Sequence, residues 1–183
     1  MSISGRVLAL AAVLMLLAIP VQEVRAATAA EINLKVDEAL ARFKKESAVA
    51  ESVLAASKGV LVFPNVIKAG IGIGGEFGEG ALRIGGETVE YYTTAAASIG
   101  FQLGAQSKAV FLVFMQAEAL ENFRASSGWK AGVDGSVALI NIGAGASFDT
   151  TQIQEPIVGF VMTNAGLMYN ATLEGSKYTK VVR

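Results

Sequence analysis

Apolar positions along this chain change period once. Between residues 28 and 57 they fall three, four or seven apart, at Ile32, Val36, Leu40, Phe43, Ala50 and Leu54, with Ala39 and Val53 widening the stripe. That is the spacing of one helix face. Thr28 and Glu31 stand where a capping box would start the helix and Gly59 where a C-terminal glycine would end it, so the pattern predicts one long amphipathic helix over 28–57. Beyond it the period becomes two. Strands are predicted at 59–63, 69–77, 81–84, 88–94, 97–103, 109–115, 133–140, 143–148, 157–162 and 167–173. The run KAVFLVFM at 108–115 lacks polar alternation and is expected at the sheet centre, covered on both faces. A short helix at 117–124 and a turn at 126–128 interrupt the strands.

Glycine dominates one stretch. In KAGIGIGGEFGEGALR, residues 68–83, Gly70, Gly72 and Gly74 alternate with Ile71 and Ile73, which builds a ribbon with one apolar face and one bare face. Glycines in register weaken a strand unless another backbone or ligand must approach closely, so Gly72 and Gly74 are expected to be sterically required. The pattern recurs at Gly100 and Gly104 and at Gly143 and Gly145, and together these ribbons predict sharp sheet curvature. Gly70, Gly72 and Gly75 also satisfy G-x-G-x-x-G. The residues immediately after them include Gly78, Gly80, Gly85 and Gly86 and cannot form the helix whose N-terminus would receive a pyrophosphate, so a dinucleotide site is not expected.

Composition narrows the chemistry. The 183 residues are 52% hydrophobic and 17% charged, with 15 basic against 16 acidic, enough to build one core and without a field to gather nucleic acid. Cysteine and histidine are absent, which removes disulfides, thiolate nucleophiles, histidine triads and the usual zinc sites. No cofactor and no metal are expected. Residues 1–26 read as a secretory signal: Arg6, an apolar run of thirteen at 7–19, Pro20, and a small-residue cleavage site at Val24-Arg25-Ala26. With no cysteine after the apolar run, a lipoprotein anchor is excluded. The expected organisation is therefore a signal peptide, 1–26, and one domain, 27–183, periplasmic or secreted after cleavage near Ala26.

The remaining enzymatic candidates are carboxylates, foremost Glu76 and Glu79 with Glu87 and Glu90 nearby. Glu76 and Glu79 would lie on opposite faces of a regular strand, and nothing marks a sugar cleft, so the chain is not expected to be an enzyme. The helix carries Lys35, Arg42, Lys44, Lys45 and Lys58, balanced by Glu31, Asp37, Glu38, Glu46 and Glu51, a solvated charged face or a membrane-facing one. Tyr91, Tyr92 and Trp129 would line a ligand groove, anchor at a membrane or fill the sheet core. The tail residues Lys177, Lys180 and Arg183 read as solvated, and the sequon Asn170-Ala171-Thr172 is set aside as part of a short strand.

Four ordered blocks, SKGVLVFPNVIKAGIGIGGEFGEGALR, ASIGFQLGAQSKAVFLVFM, GWKAGVDGSVALI and GLMYNATLEGSK, resemble the SYLF domain family, which includes yeast actin-patch proteins and many bacterial secreted proteins. The resemblance covers roughly residues 41–182. It implies a non-catalytic lipid-binding module, since eukaryotic members bind phosphoinositides and fungal members also bind actin filaments. The matching residues Gly70, Gly72, Gly78, Gly80, Gln102, Gly104, Glu174 and Gly175, with Gly74, look fold-defining. The resemblance and the residues together predict an α+β fold: a strongly curved antiparallel β-sheet, barrel-like or sandwiched on itself, with one long N-terminal amphipathic helix and a short helix in the middle. The expected function is binding of phospholipid or a membrane surface in the bacterial cell envelope through Lys35, Arg42, Lys44, Lys45, Lys58, Lys68, Tyr91, Tyr92 and Trp129. Actin is not expected as the partner of an exported protein. A small outer-membrane barrel and an envelope protein-interaction module are the competing readings.

Overall fold

In the computed structural model, residues 26–100, 106–140, 154–163, 166–167 and 172–183 are described. The predicted strand at 143–148, the residues Gln102, Gly104, Gly143 and Gly145, and Asn170 of the sequon lie outside them. The helical segment begins as its sequence demands: Thr28 Oγ1 accepts from the Glu31 N–H and Glu31 Oε2 accepts from the Thr28 N–H, closing the capping box of α1, Ala29–Glu46.

The single helix expected over 28–57 is in fact two. Ser47 adopts an extended backbone (φ −121°, ψ 116°) while its N–H still bonds the Phe43 carbonyl, and α2, Ala50–Ala56, starts afresh after Val49. A continuous helix over that span would run about 45 Å. The break instead lets Ala50 and Val53 of α2 join Ile32, Val36 and Phe43 of α1 in one buried cluster. Gly59 is not a helix cap but the first residue of the sheet.

Among the described residues eight strands follow: β1 Gly59–Ile84, β2 Glu87–Gly100, β3 Gln106–Phe114, β4 Trp129–Lys130, β5 Ala138–Leu139, β6 Ile157–Thr163, β7 Gly166–Leu167 and β8 Lys177–Val181. Their order is β4-β8-β2-β1-β3-β6-β5, with β7 on β6. All pairs are antiparallel except β5 with β6, so the sheet is mixed and strongly curled. The architecture is the expected α+β one. Several strands separate in the sequence pattern are continuous, for β1 unites three predicted segments and β2 two. Conversely, the strand predicted at 133–140 is reduced to β5, because Gly132 at φ +81° turns the chain before it.

β1 is where the curl is made. Its first half pairs with β3 and its second with β2, and a register shift at 63–66 accommodates Pro64, which has no N–H to donate. Straight, the strand would span about 80 Å. Yet a β-carbon on Gly59 would stand 3.2 Å from the Arg83 carbonyl oxygen, one on Gly80 2.1 Å from that of Val62, and one on Gly78 2.9 Å from Val66 Cγ2. The second half of β1 thus returns face-on across the first. The two-residue turn Gly85–Gly86, with φ +60° and +89°, then reverses the chain into β2.

Alternation along the strands sends side chains to two cores. Val60 and Val62, Phe111 and Val113, and Val158 and Phe160 pack under α1 and α2. Leu61 and Phe63, Leu112 and Phe114 face the other way, toward Leu120 and Phe123 of α3, Ala117–Ala125, with Tyr92, Trp129 and Tyr178. Every residue of β3 from Ala109 to Phe114 is buried, as its uninterrupted apolar run predicts.

Candidate functional site

Packing α1 on the sheet leaves a groove along one edge of the helix. A cavity of about 310 Å³ has Phe111, Ala109 and Met162 as its apolar floor and Lys35, Glu38 and Arg42 along the helix side. A second cavity, of about 140 Å³, lies where Ile67 and Phe77 stand at the edge of β1 beside Lys35, Gly78 and Glu79. Lys35, Pro64 and Asn65 line both, so the two share a rim. Phe77 is 55% exposed and Ile67 46%, large apolar side chains left at the lip of the smaller cavity.

The groove is amphipathic by construction. The helix repeat places Lys35, Glu38 and Arg42 one turn apart on one side of α1, while Ile32, Val36 and Phe43 are consumed by the core. Arg42 Nε lies 2.8 Å from Glu46 Oε1, and the Arg42 guanidinium also donates to the Thr163 carbonyl, tying α1 to β6. The hydrogen bond from Arg42 holds the Glu46 carboxyl below its ordinary range, and the Thr28 N–H does the same for Glu31.

The other residues expected at a lipid site are dispersed. Lys44 lines a separate cavity of about 310 Å³ with Leu40, Leu54 and Arg83, whose guanidinium is paired with Asp37 at 2.6 Å. Lys45 is exposed in the last turn of α1. Lys58, just before β1, is exposed, and Lys68, at the end of its first half, is half-buried. Tyr91 is half-buried and its hydroxyl accepts from Asn33 Nδ2 at 3.0 Å, linking β2 to α1.

Tyr92 and Trp129 are core residues, not groove or anchor residues, with 1% and 4% exposure. They pack around Phe123, whose ring centroid lies 5.0 Å from Tyr92, 5.0 Å from Phe114 and 5.5 Å from Trp129. Sequence alone could not separate these roles, since an aromatic residue with a polar tip suits both.

The carboxylates are likewise spoken for singly. Glu76 pairs with Lys108 Nζ at 2.6 Å, Glu79 with Arg183, and Glu90 with Arg124 at 2.9 Å and Lys180 at 2.6 Å. Tyr92 donates to the second oxygen of Glu90 at 2.7 Å. Burial works against ionisation of Glu90, but the three hydrogen bonds prevail and hold its pKa at about 2. The tail is therefore not a solvated terminus: β8 sits between β2 and β4, and Lys180 and Arg183 are ion-pair partners of strand carboxylates. Burial pushes the Tyr92 and Tyr178 phenols up. Ile67, Phe77 and Met162 are the groove residues that sequence periodicity did not single out.

Among the expected fold-defining residues, Gly175 has φ +80° and its N–H bonds the Ala131 carbonyl, while Glu174 packs 3.5 Å from where a β-carbon of Gly132 would stand. Among the described residues, no helix is long and apolar enough to cross a membrane.

The fold is a two-sided, curled α+β sheet with a groove along one edge of α1. Residues 95–181 match the family described as "Ysc84: Las17-binding protein actin regulator", also known as SYLF, in agreement with the resemblance carried by the sequence blocks. The match runs from the end of β2 through β8 and includes α3, whereas α1, α2 and β1 precede it. No curated protein matches the chain.

Proposed function

We propose that this chain is a non-enzymatic, phospholipid-binding protein of the cell envelope, acting after export and removal of residues 1–26. The observation that carries this reading is the groove beside α1: an apolar floor of Phe111 and Met162, an apolar lip of Ile67 and Phe77, and Lys35 and Arg42 on its helix side. Such an arrangement suits an amphiphile, with acyl carbon in the apolar part and an anionic headgroup at the cations. The apolar face of α1 itself is spent on the sheet, so the helix does not lie on a bilayer by that face. A lipid-facing barrel fits less well, because such a barrel turns an apolar outer band to the bilayer, whereas here helices cover both sheet faces.

The family description names binding to Las17 and regulation of actin. An exported chain meets neither, and lipid is the activity left to it. Vesicle flotation tests the reading with neutral phosphatidylcholine and with anionic phosphatidylglycerol, each at low and high salt. The protein floats with both and loses only part of its binding at high salt. Absence of flotation with either lipid at low salt refutes the proposal.

A further inference from the structure

The backbone nitrogen of Ala27 lies 3.0 Å from Glu79 Oε2, and the other oxygen of the same carboxylate holds the Arg183 guanidinium. The Glu79 and Arg183 side chains are only 16% and 18% exposed. Residue 27 is also the first residue after the small-residue cleavage motif Val24-Arg25-Ala26. An amide nitrogen offers one hydrogen and no charge at this position. Hydrolysis of the 26–27 peptide bond breaks the C–N bond and adds water across it, leaving a carboxylate on Ala26 and an amine on Ala27 that is protonated at neutral pH.

We infer that processing after Ala26 places the new α-ammonium group of Ala27 on Glu79, where with Arg183 it forms an ionic clasp joining the start of the processed chain to the segment after β8. The clasp sits at the end of the smaller groove cavity, which Ala27 and Glu79 both line. The site is built from three elements: the residue before the α1 cap, the second half of β1, and the segment after β8. It rests on the processing step of the proposed function and does not depend on lipid binding.

The charged groups around the amine are Glu79 on β1, Arg183 after β8, Lys35 on the second turn of α1 and Glu31 in its first turn. Glu79 is the one in direct contact, so it favours the protonated form, with Arg183 and Lys35 opposing. A raised folded-state pKa means that the contribution to stability is complete below the ordinary α-amino value of about 8 and is lost as pH rises through the raised value.

The test uses the full chain, exported and processed, with intact-mass analysis of its N-terminus followed by acylation of the α-amine across a pH series. The N-terminal residue is Ala27, and its amine titrates above the ordinary range and reacts several-fold more slowly at pH 8 than in Glu79→Gln. A different N-terminus overturns the inference. So does an ordinary titration of the wild-type amine, a result independent of whether Glu79→Gln folds. Lipid plays no part in the assay, so failure of flotation and failure of the clasp are distinguishable.

Discussion

Gly80 lies against Val62 so closely that a β-carbon on the glycine would stand 2.1 Å from the Val62 carbonyl oxygen and 2.8 Å from the Phe63 ring. The obstacle is main chain in a ladder, which cannot swing aside as a side-chain tip can. Gly80→Ala therefore has to part the two halves of β1. The expected cost is about 3 kcal/mol, at the upper end for overpacking. Gly85→Ala meets nothing within 4 Å and is opposed only by its φ of +60°, costing about 1–2 kcal/mol. Denaturant unfolding of the two variants gives the ranking.

Acid stability isolates the Glu90 cluster. The folded pKa of Glu90, about 2, is depressed below its ordinary value of 4.5, so its stabilisation is present above that value and is lost as pH falls toward 2. Arg124 and Lys180 are 40% and 47% exposed, and solvent screening reduces the effect to about 1–3 kcal/mol. Thermal unfolding between pH 5 and pH 2 falls more steeply in wild type than in Glu90→Gln. Parallel curves would mean that the cluster does not couple folding to protonation.

The aromatic cluster around Phe123 contains the sole tryptophan, which makes it its own reporter. Phe123→Ala removes the ring shared by Tyr92, Phe114, Trp129 and Tyr178 and costs about 3–5 kcal/mol, with red-shifted Trp129 emission. In the wild-type protein, adding vesicles leaves that emission unchanged, because Trp129 is interior. A blue shift on vesicle binding would place Trp129 at the membrane after all.

If the groove takes lipid as proposed, apolar contact is expected to outweigh charge there. Ile67→Asp with Phe77→Asp abolishes flotation, whereas Lys35→Glu with Arg42→Glu weakens it only several-fold. An unpaired cation gains about 1 kcal/mol at an anionic surface, and Arg42 is already engaged by Glu46 and the Thr163 carbonyl. The reverse ranking would assign the affinity to the charges.

Local chemistry was legible in the sequence and face-to-face contact was not. The Thr28/Glu31 cap and the buried apolar run of β3 need only neighbouring residues, and both could be read directly. The glycine alternation announced a close approach, and the structure describes one at Gly78 and Gly80. Which glycines meet the returning chain depends on the bend in β1, and no local spacing encodes it. β8, KYTKV, gives no strand signal because only Tyr178 is buried while its other positions are half-buried or exposed. The Ser47 break was hidden because residues on both sides keep helical spacing. Groove residues Ile67 and Phe77 look like any alternating apolar positions until the sheet curls and leaves them at an edge.

The position of β8 also sets the order in which the molecule can assemble. The β1–β2 hairpin closes over two glycines and can zip on the microsecond scale. β8 must find β2 across a sequence separation of 86 residues at Thr93 and Thr179, and β4 then pairs onto its far side. Folding is consequently expected to show a fast local phase and a slower closing phase governed by loop entropy. Truncation before residue 177 would arrest the chain with the edge of β2 unpaired, a surface open to strand exchange between copies.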